Sequence, residues 1–197
     1  MTSTDADYAK RLQRLSGRWW KRWVPNPYRW NVRRLATGRV LDVGCGIGRC
    51  LEFIRPRGVG VDPNEAAIGV CRANGHEAYR PDEFATLAGS SEALGRFDTL
   101  LCSHVLEHLD DPTGVELIRR YLPYLAPGGR VILITPQERG QRSDATHVRL
   151  MDAEAQRSLA AQCGLTIERM SSFPLPRRFG RWFIYNETVV VARSGIR

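Results

Sequence analysis

The chain has 197 residues, 43% of them hydrophobic, which is enough to bury one core of ordinary domain size and gives no sign of a second. No apolar stretch approaches the roughly 18 residues that span a bilayer, and the opening Met-Thr-Ser-Thr-Asp-Ala-Asp lacks a basic-then-apolar signal pattern, so a cytoplasmic location is expected. The net charge of +8 is unevenly placed: residues 1–37 hold nine Lys/Arg against two Asp, whereas the remaining 20 Arg face 19 acids.

Residues 1–37 therefore read as a basic leading segment and 38–197 as a nearly neutral body. The leading segment carries Trp19, Trp20, Trp23 and Trp30, four of the five tryptophans. Its favoured reading is a helix that covers one sheet edge with its rings packed and its basic groups solvated. A substrate lid is the next reading, and a nucleic-acid or membrane patch is the least favoured. The five cysteines (45, 50, 71, 102, 163) are odd in number and form no C-x-x-C pair, which points to reduced thiols acting mainly as small core residues.

In chain order, helical character over 5–23 breaks at Val-Pro-Asn-Pro (24–27), and a second helix is predicted from Tyr28 to Ala36, stopped by Gly38. Strands are predicted at 39–43, 58–62, 77–80, 97–103 and 130–135. Helices alternate with them: one opens over Arg49–Ile54, one over Glu65–Asn74 behind an Asn64 cap, one from Pro81, and one over 112–125 with Pro112 at its first position. Ala126-Pro-Gly-Gly129 reads as a turn. This alternation means a parallel, doubly wound α/β sheet. The end of the chain departs from it, because a helix at 152–162 is followed by strands at 165–172 and 187–193 with no helix between them, and these must pair antiparallel.

Residues 40–48 carry the strongest signal. Val-Leu-Asp-Val supplies a strand buried on both faces, and Gly44, Gly46 and Gly48 remove side chains where a ligand approaches the backbone. A dinucleotide turn of the G-x-G-x-x-G type would place its third glycine at 49, where Arg49 stands, so a nicotinamide enzyme is disfavoured. The segment resembles the first motif of class I S-adenosylmethionine-dependent methyltransferases, V-L-D-x-G-x-G-x-G, and the resemblance extends over roughly residues 38–193. It implies a Rossmann-like sheet of seven strands in the order 3-2-1-4-5-7-6 with strand 7 antiparallel, and S-adenosylmethionine as cofactor.

Open α/β sheets bind ligands beyond the carboxyl ends of their strands, so one pocket is expected there. By resemblance, Asp42 orients the methionine moiety while Gly44, Cys45 and Gly46 lie against the ligand; a cap on the glycine turn is the other reading of Asp42. Asp62, followed by Pro63, ends the second strand 20 positions on, where a carboxylate can accept from both ribose hydroxyls. Asp82, Glu83 and Phe84 fall where the family holds adenine through an acid and a main-chain amide, although a plain helix cap explains Asp82 nearly as well.

Ser103-His-Val-Leu-Glu-His108 resembles the family's active-site edge, with Ser103 and His104 toward the donated methyl and Glu107 and His108 bracing the turn. The same stretch matches H-x-x-E-H of inverse zinc proteases. It announces neither a sustained helix nor a further ligand, so no metal is expected. His147, in the polar loop Ser143–Arg149, has an imidazole suited to taking a proton, with Asp144 to orient it; a surface histidine bonding a carbonyl is the bland alternative. The expected chemistry is in-line methyl transfer to an oxygen, less favourably a nitrogen, of a small molecule, with His104 and His147 as candidate catalytic residues. Base methylation is disfavoured because Ser103-His-Val-Leu replaces the Asn/Asp-Pro-Pro-Tyr/Phe tetrapeptide. The rival from another class is an S-adenosylmethionine-binding protein without turnover that uses its basic segment on RNA or a membrane.

Overall fold

The computed structural model describes residues 26–88 and 96–195; the helix predicted over 5–23 lies outside them. Seven strands form one sheet: β1 Val40–Val43, β2 Gly58–Val61, β3 Glu77–Tyr79, β4 Phe97–Ser103, β5 Leu125–Pro136, β6 Leu165–Phe173 and β7 Glu187–Ser194. Their order is β3-β2-β1-β4-β5-β7-β6. The first five run parallel, and β7 pairs antiparallel with both β5 and β6. The expected order and the antiparallel seventh strand are both present.

The helices are α1 Pro27–Leu35, α2 Arg49–Ile54, α3 Glu65–Ala73, α4 Pro81–Ala88, α5 Asp111–Tyr121, α6 Glu138–Gln141 and α7 Ala153–Gln162. Alternation along each central strand divides the core in two, as the pleat requires. Leu41, Val43, Leu100, Cys102, Val131 and Leu133 pack on one face against Phe84 of α4, Ile118 of α5 and Leu159 of α7. Val40, Leu101, Ile132 and Ile134 pack on the other against Val32 and Leu35 of α1, Leu51 and Ile54 of α2 and Ile68 of α3. The described end of the basic leading segment is thus built into the body through α1. Among the described residues no helix is long and apolar enough to cross a membrane.

Two local expectations are corrected. Pairing of β5 with β4 begins at Leu125 opposite Phe97 and resumes at Arg130 opposite Thr99, so the Pro-Gly-Gly turn sits inside the strand as an irregularity. Gly128, at φ 72°, supplies the left-handed backbone this detour needs. Helix α5 is capped by Asp110, which accepts from the Thr113 N–H at 3.0 Å, and Pro112 takes its second position rather than its first.

The antiparallel edge is tied down by a buried polar network. Asn186 Nδ2 donates to Gln137 Oε1 at 2.9 Å and to Ser172 Oγ at 3.0 Å, while its Oδ1 accepts from the Leu175 N–H at 3.0 Å. Gln137 Nε2 completes the net on Ser172 Oγ and the Glu187 carbonyl. These bonds fix where β7 begins. Asn186→Ala leaves the Gln137 carbonyl and the Leu175 amide without these partners and is expected to lower unfolding free energy by about 2 kcal/mol. Urea denaturation checks this, and an unchanged midpoint would show that water replaces the amide.

Candidate functional site

The carboxyl ends of β1, β2 and β4 meet at the glycine turn. Gly44 and Cys45 donate their N–H groups to the Val61 carbonyl at 2.8 and 3.2 Å, carrying the parallel pairing one step past the strand. Asp62 then closes the turn: its Oδ2 accepts from the Gly46 N–H and its Oδ1 from the Asn64 N–H, each at 2.8 Å. Burial raises the Asp62 carboxyl, and these two amide bonds pull it back toward the charged form. Each carboxylate oxygen keeps a second lone pair, so accepting ribose hydroxyls remains open to it. Pro63 follows on the exposed side of the turn.

Gly44, at φ 76°, is covered by the side chain of Val105, which a β-carbon there would strike. Gly46, at φ 52°, faces open space where its β-carbon would stand. Close approach of a ligand to the backbone is therefore possible over Gly46. Cys45 is buried, and the Cys71 thiol donates to the Gly46 carbonyl at 3.2 Å, so both thiols support the turn from below.

Asp42 is 1% exposed, and its Oδ2 has no hydrogen-bond partner among the described residues. Burial, and behind it the negative charge of Asp62, pushes its carboxyl up to about 7. A buried acid without a donor is costly unless something cationic or donating completes it. The methionine end of S-adenosylmethionine, with its ammonium and sulfonium, is a group of that kind. The donor set of this corner fits that cofactor: an orphaned acid for its cations, an open glycine for its backbone contact and an aspartate for its sugar.

The three residues expected around adenine lie in the first turn of α4, each with partners of its own. Phe84 is a core residue: its ring packs against Phe97, Tyr121 and Tyr124, and its N–H donates to the Arg80 carbonyl at 2.8 Å in the first turn of α4. Glu83 accepts from Arg72 at 2.6 Å and from the Arg80 N–H at 2.8 Å. Asp82 is exposed and pairs with Arg80 at 3.1 Å. The arginines that flank this helix start draw both carboxylates to themselves.

Ser103, half-buried, ends β4. The next residue, His104, takes a left-handed backbone at φ 58°, uncommon for a side chain of its size, and its N–H still donates to the Ile134 carbonyl at 2.9 Å. Its Nδ1 lies 3.1 Å from Glu107 Oε1 and its Nε2 2.8 Å from Glu187 Oε1. Burial alone would lower the imidazole, but the hydrogen bonds and charges of Glu107 and Glu187 outweigh it and raise it to about 10. With a carboxylate oxygen within reach of each ring nitrogen, His104 is drawn toward its protonated form and has no ring nitrogen left free to take a proton. Glu187 is the participant that sequence reasoning missed. It lies 83 residues from His104, and its only local signal is an acid opening a strongly apolar strand.

His147 keeps the other catalytic expectation open. Its Nδ1 lies 2.9 Å from the Gln141 carbonyl, which fixes that nitrogen as the donor and leaves Nε2 with its lone pair. Its ring meets that of His108 edge-on, with centroids 4.8 Å apart. Asp144 accepts from the Thr146 N–H and hydroxyl, shaping the loop that carries His147.

An aromatic rim stands over the same sheet edge. Tyr28 donates its hydroxyl to the Tyr185 carbonyl at 2.7 Å and packs edge-on to Phe173, against which Trp30 also stacks. Trp30, Trp182 and Tyr185 are largely exposed. Two open depressions lie away from this edge, one beside α5 and one at the amino ends of β4 and β5.

Comparison with known proteins agrees with this geometry. A family model described as a methyltransferase domain matches residues 7–170. The chain is 34% identical over 152 residues to a ubiquinone biosynthesis O-methyltransferase of Marinobacter nauticus, a match that takes in 68% of this chain and 63% of that protein. The fold is shared with a SAM-dependent methyltransferase from Archaeoglobus fulgidus, at a TM-score of 0.66 and 19% identity over 85% of this chain and 93% of that one. It is shared also with magnesium protoporphyrin IX methyltransferase from Synechocystis, solved with SAM bound, at a TM-score of 0.57 and 19% identity over 85% of this chain and 75% of that one.

The clamp around His104 makes a prediction. His104→Ala leaves Glu187 and the fully buried Glu107 without their shared cation and is expected to cost about 1–3 kcal/mol of stability. Chemical denaturation at neutral pH checks this. A variant as stable as the parent would mean that neither carboxylate depends on the imidazole.

Proposed function

This chain belongs to the S-adenosylmethionine-dependent methyltransferase family, and on that premise we propose that it moves the cofactor's methyl, by in-line displacement, to an oxygen of a small-molecule acceptor. The observation that carries the reading is the orphaned, buried Asp42 beside a glycine turn stitched by Asp62. Support for oxygen comes from the relatives named O-methyltransferase and from Ser103-His-Val-Leu at the position of the N-methylating tetrapeptide. The rim of Tyr28, Trp30, Phe173 and Tyr185 suits an acceptor that carries a ring or a hydrocarbon portion.

When bound, the cofactor supplies the activated methyl and its own leaving group. This chain's residues have alignment as their main task, which is worth roughly 7–11 kcal/mol in a near-attack geometry. Asp42 neutralises the cationic end, and Asp62 grips the sugar while holding the turn against it. His104, held between two carboxylates and drawn toward its protonated form, favours positive charge at the edge where the acceptor enters. Of the two histidines expected to take the acceptor's proton, only His147 retains a nitrogen able to do so.

Two measurements test this. Incubation with methyl-labelled cofactor and a panel of phenols and catechols is expected to label hydroxyls and release S-adenosylhomocysteine; cofactor binding with no turnover on any member would favour the binding-protein alternative. The second is a pH profile of S-adenosylmethionine affinity. Below about pH 7 the free protein holds Asp42 protonated, so binding a cation must expel that proton, and affinity should rise with pH up to ~7 and level off above it. Asp42→Asn is expected to bind at least about tenfold more weakly and with a flat profile, since one pKa unit corresponds to roughly 1.4 kcal/mol. A profile unchanged by the substitution would remove Asp42 from the site.

A further inference from the structure

The loop that carries His147 is docked on the turn that follows β4. The Glu107 carbonyl accepts from the Val148 N–H at 2.8 Å and from the Arg149 N–H at 3.3 Å. Arg149 in turn pairs with Asp111 at the start of α5. This docking brings His147 beside Glu107 and His108, and one ring nitrogen from each histidine and one carboxylate oxygen of Glu107 lie within 4.8 Å of one another.

Each donor is presented. Nδ1 of His147 is held by the Gln141 carbonyl, and Nδ1 of His108 by the Thr146 carbonyl at 3.2 Å. A carbonyl can only accept, so both Nδ1 atoms carry the hydrogen and both Nε2 atoms keep lone pairs. Backbone carbonyls holding the remote nitrogen are the usual outer support of a metal-bound histidine. Thr146 reinforces His108 through its hydroxyl, which donates to Asp144 at 2.8 Å and lies 3.2 Å from the same Nδ1.

Glu107 supplies the independent observation. Its side chain is 0% exposed, and although Oε1 is bonded to His104, Oε2 is buried with no partner among the described residues. A carboxylate oxygen in that position calls for a donor or a cation.

We propose that Glu107, His108 and His147 form a binding site for a divalent first-row transition ion, with zinc the reference ion. Two imidazoles and one carboxylate suit Zn²⁺, Fe²⁺ or Mn²⁺, and exclude a site made for Ca²⁺ or Mg²⁺, which prefer all-oxygen ligands. Donors around an ion at ~2.0–2.2 Å stand about 3.4 Å apart, so binding draws the three in by roughly 1 Å. Three protein donors leave a coordination position open to water or to an oxygen of a ligand, and a bound ion takes up the His147 lone pair that in the ion-free chain is open to the acceptor's proton. The His104-x-x-Glu107-His108 pattern thus contributes only its second and third members. His104 is bound to carboxylates on both sides, and the ligand the sequence did not announce is His147, brought in by the loop.

The test uses the full chain without a histidine tag, stripped with chelator and titrated with Co²⁺ in the absence of cofactor and acceptor. It therefore reads the ion independently of methyl transfer. The expected result is a saturable visible d–d band at one ion per chain that Zn²⁺ abolishes, with His108→Ala and His147→Ala each weakening binding at least about tenfold. Calorimetry with S-adenosylmethionine on both variants verifies that they are folded, since the cofactor site lies on other residues. Absence of the band in the parent chain, or a band retained in both folded variants, would overturn the assignment. So would a cobalt–thiolate charge-transfer band, which would place the ion on the cysteines.

Discussion

Asp62 holds two backbone segments that would otherwise part at the end of the sheet. β1 and β2 finish side by side, and beyond them one chain must turn sharply into α2 while the other enters α3. The Asp62 carboxylate takes an amide from each departure, Gly46 on one side and Asn64 on the other. Neither amide has a strand partner left to it, so without this carboxylate two N–H groups would face a half-buried corner. The glycines make the turn possible by adopting left-handed backbone, but the aspartate selects one conformation from the many they allow. Everything proposed about the cofactor depends on that selection.

A second constraint ties the far half of the sheet to the same edge. His104 sits at the only non-glycine left-handed position among the described residues, and its ring spans from the turn after β4 to the first residue of β7. The antiparallel hairpin is thereby more than cover for a sheet edge: it delivers Glu187 to the end of β4. Asn186 and Gln137 lock the neighbouring backbone, so Glu187 arrives in register with Pro136. The pull of His104 toward its protonated form follows from this placement, because two carboxylates converge on one imidazole.

The fold was legible because its signals are local. Val40–Gly48 combines a doubly buried strand with a glycine turn, and the lack of a crossover α-helix between 173 and 187, where the structure has only the short 3-10 helix Arg177–Arg181, forces the antiparallel pair whatever else the chain does. Where Asp42 and Asp62 sit was legible for the same reason, each being an acid at the end of a short apolar strand. What was not legible depends on contacts between distant segments. Glu187 gives no sign of meeting His104 until strand order is known. Phe84 reads as an adenine neighbour from its position after β3, yet the aromatic rings of Phe97, Tyr121 and Tyr124 claim it for the core, and the first turn of α4 takes its amide. Asp82 and Glu83 answer to Arg80 and Arg72, whose reach sequence spacing does not reveal.

Glu107 shows how such distant contacts can divide the work of one side chain. The two oxygens of a carboxylate are equivalent in water, but burial gives each a fixed direction and hence a separate partner. Oε1 is bonded to His104 and, through it, tied to the edge of the sheet where the acceptor is proposed to enter; Oε2 has no partner among the described residues. His108 and His147 stand beside this carboxylate, with one ring nitrogen of each and one of its oxygens within 4.8 Å of one another. A fully buried acid with one satisfied and one orphaned oxygen is hard to explain as packing alone, since burial would penalise the orphan without return.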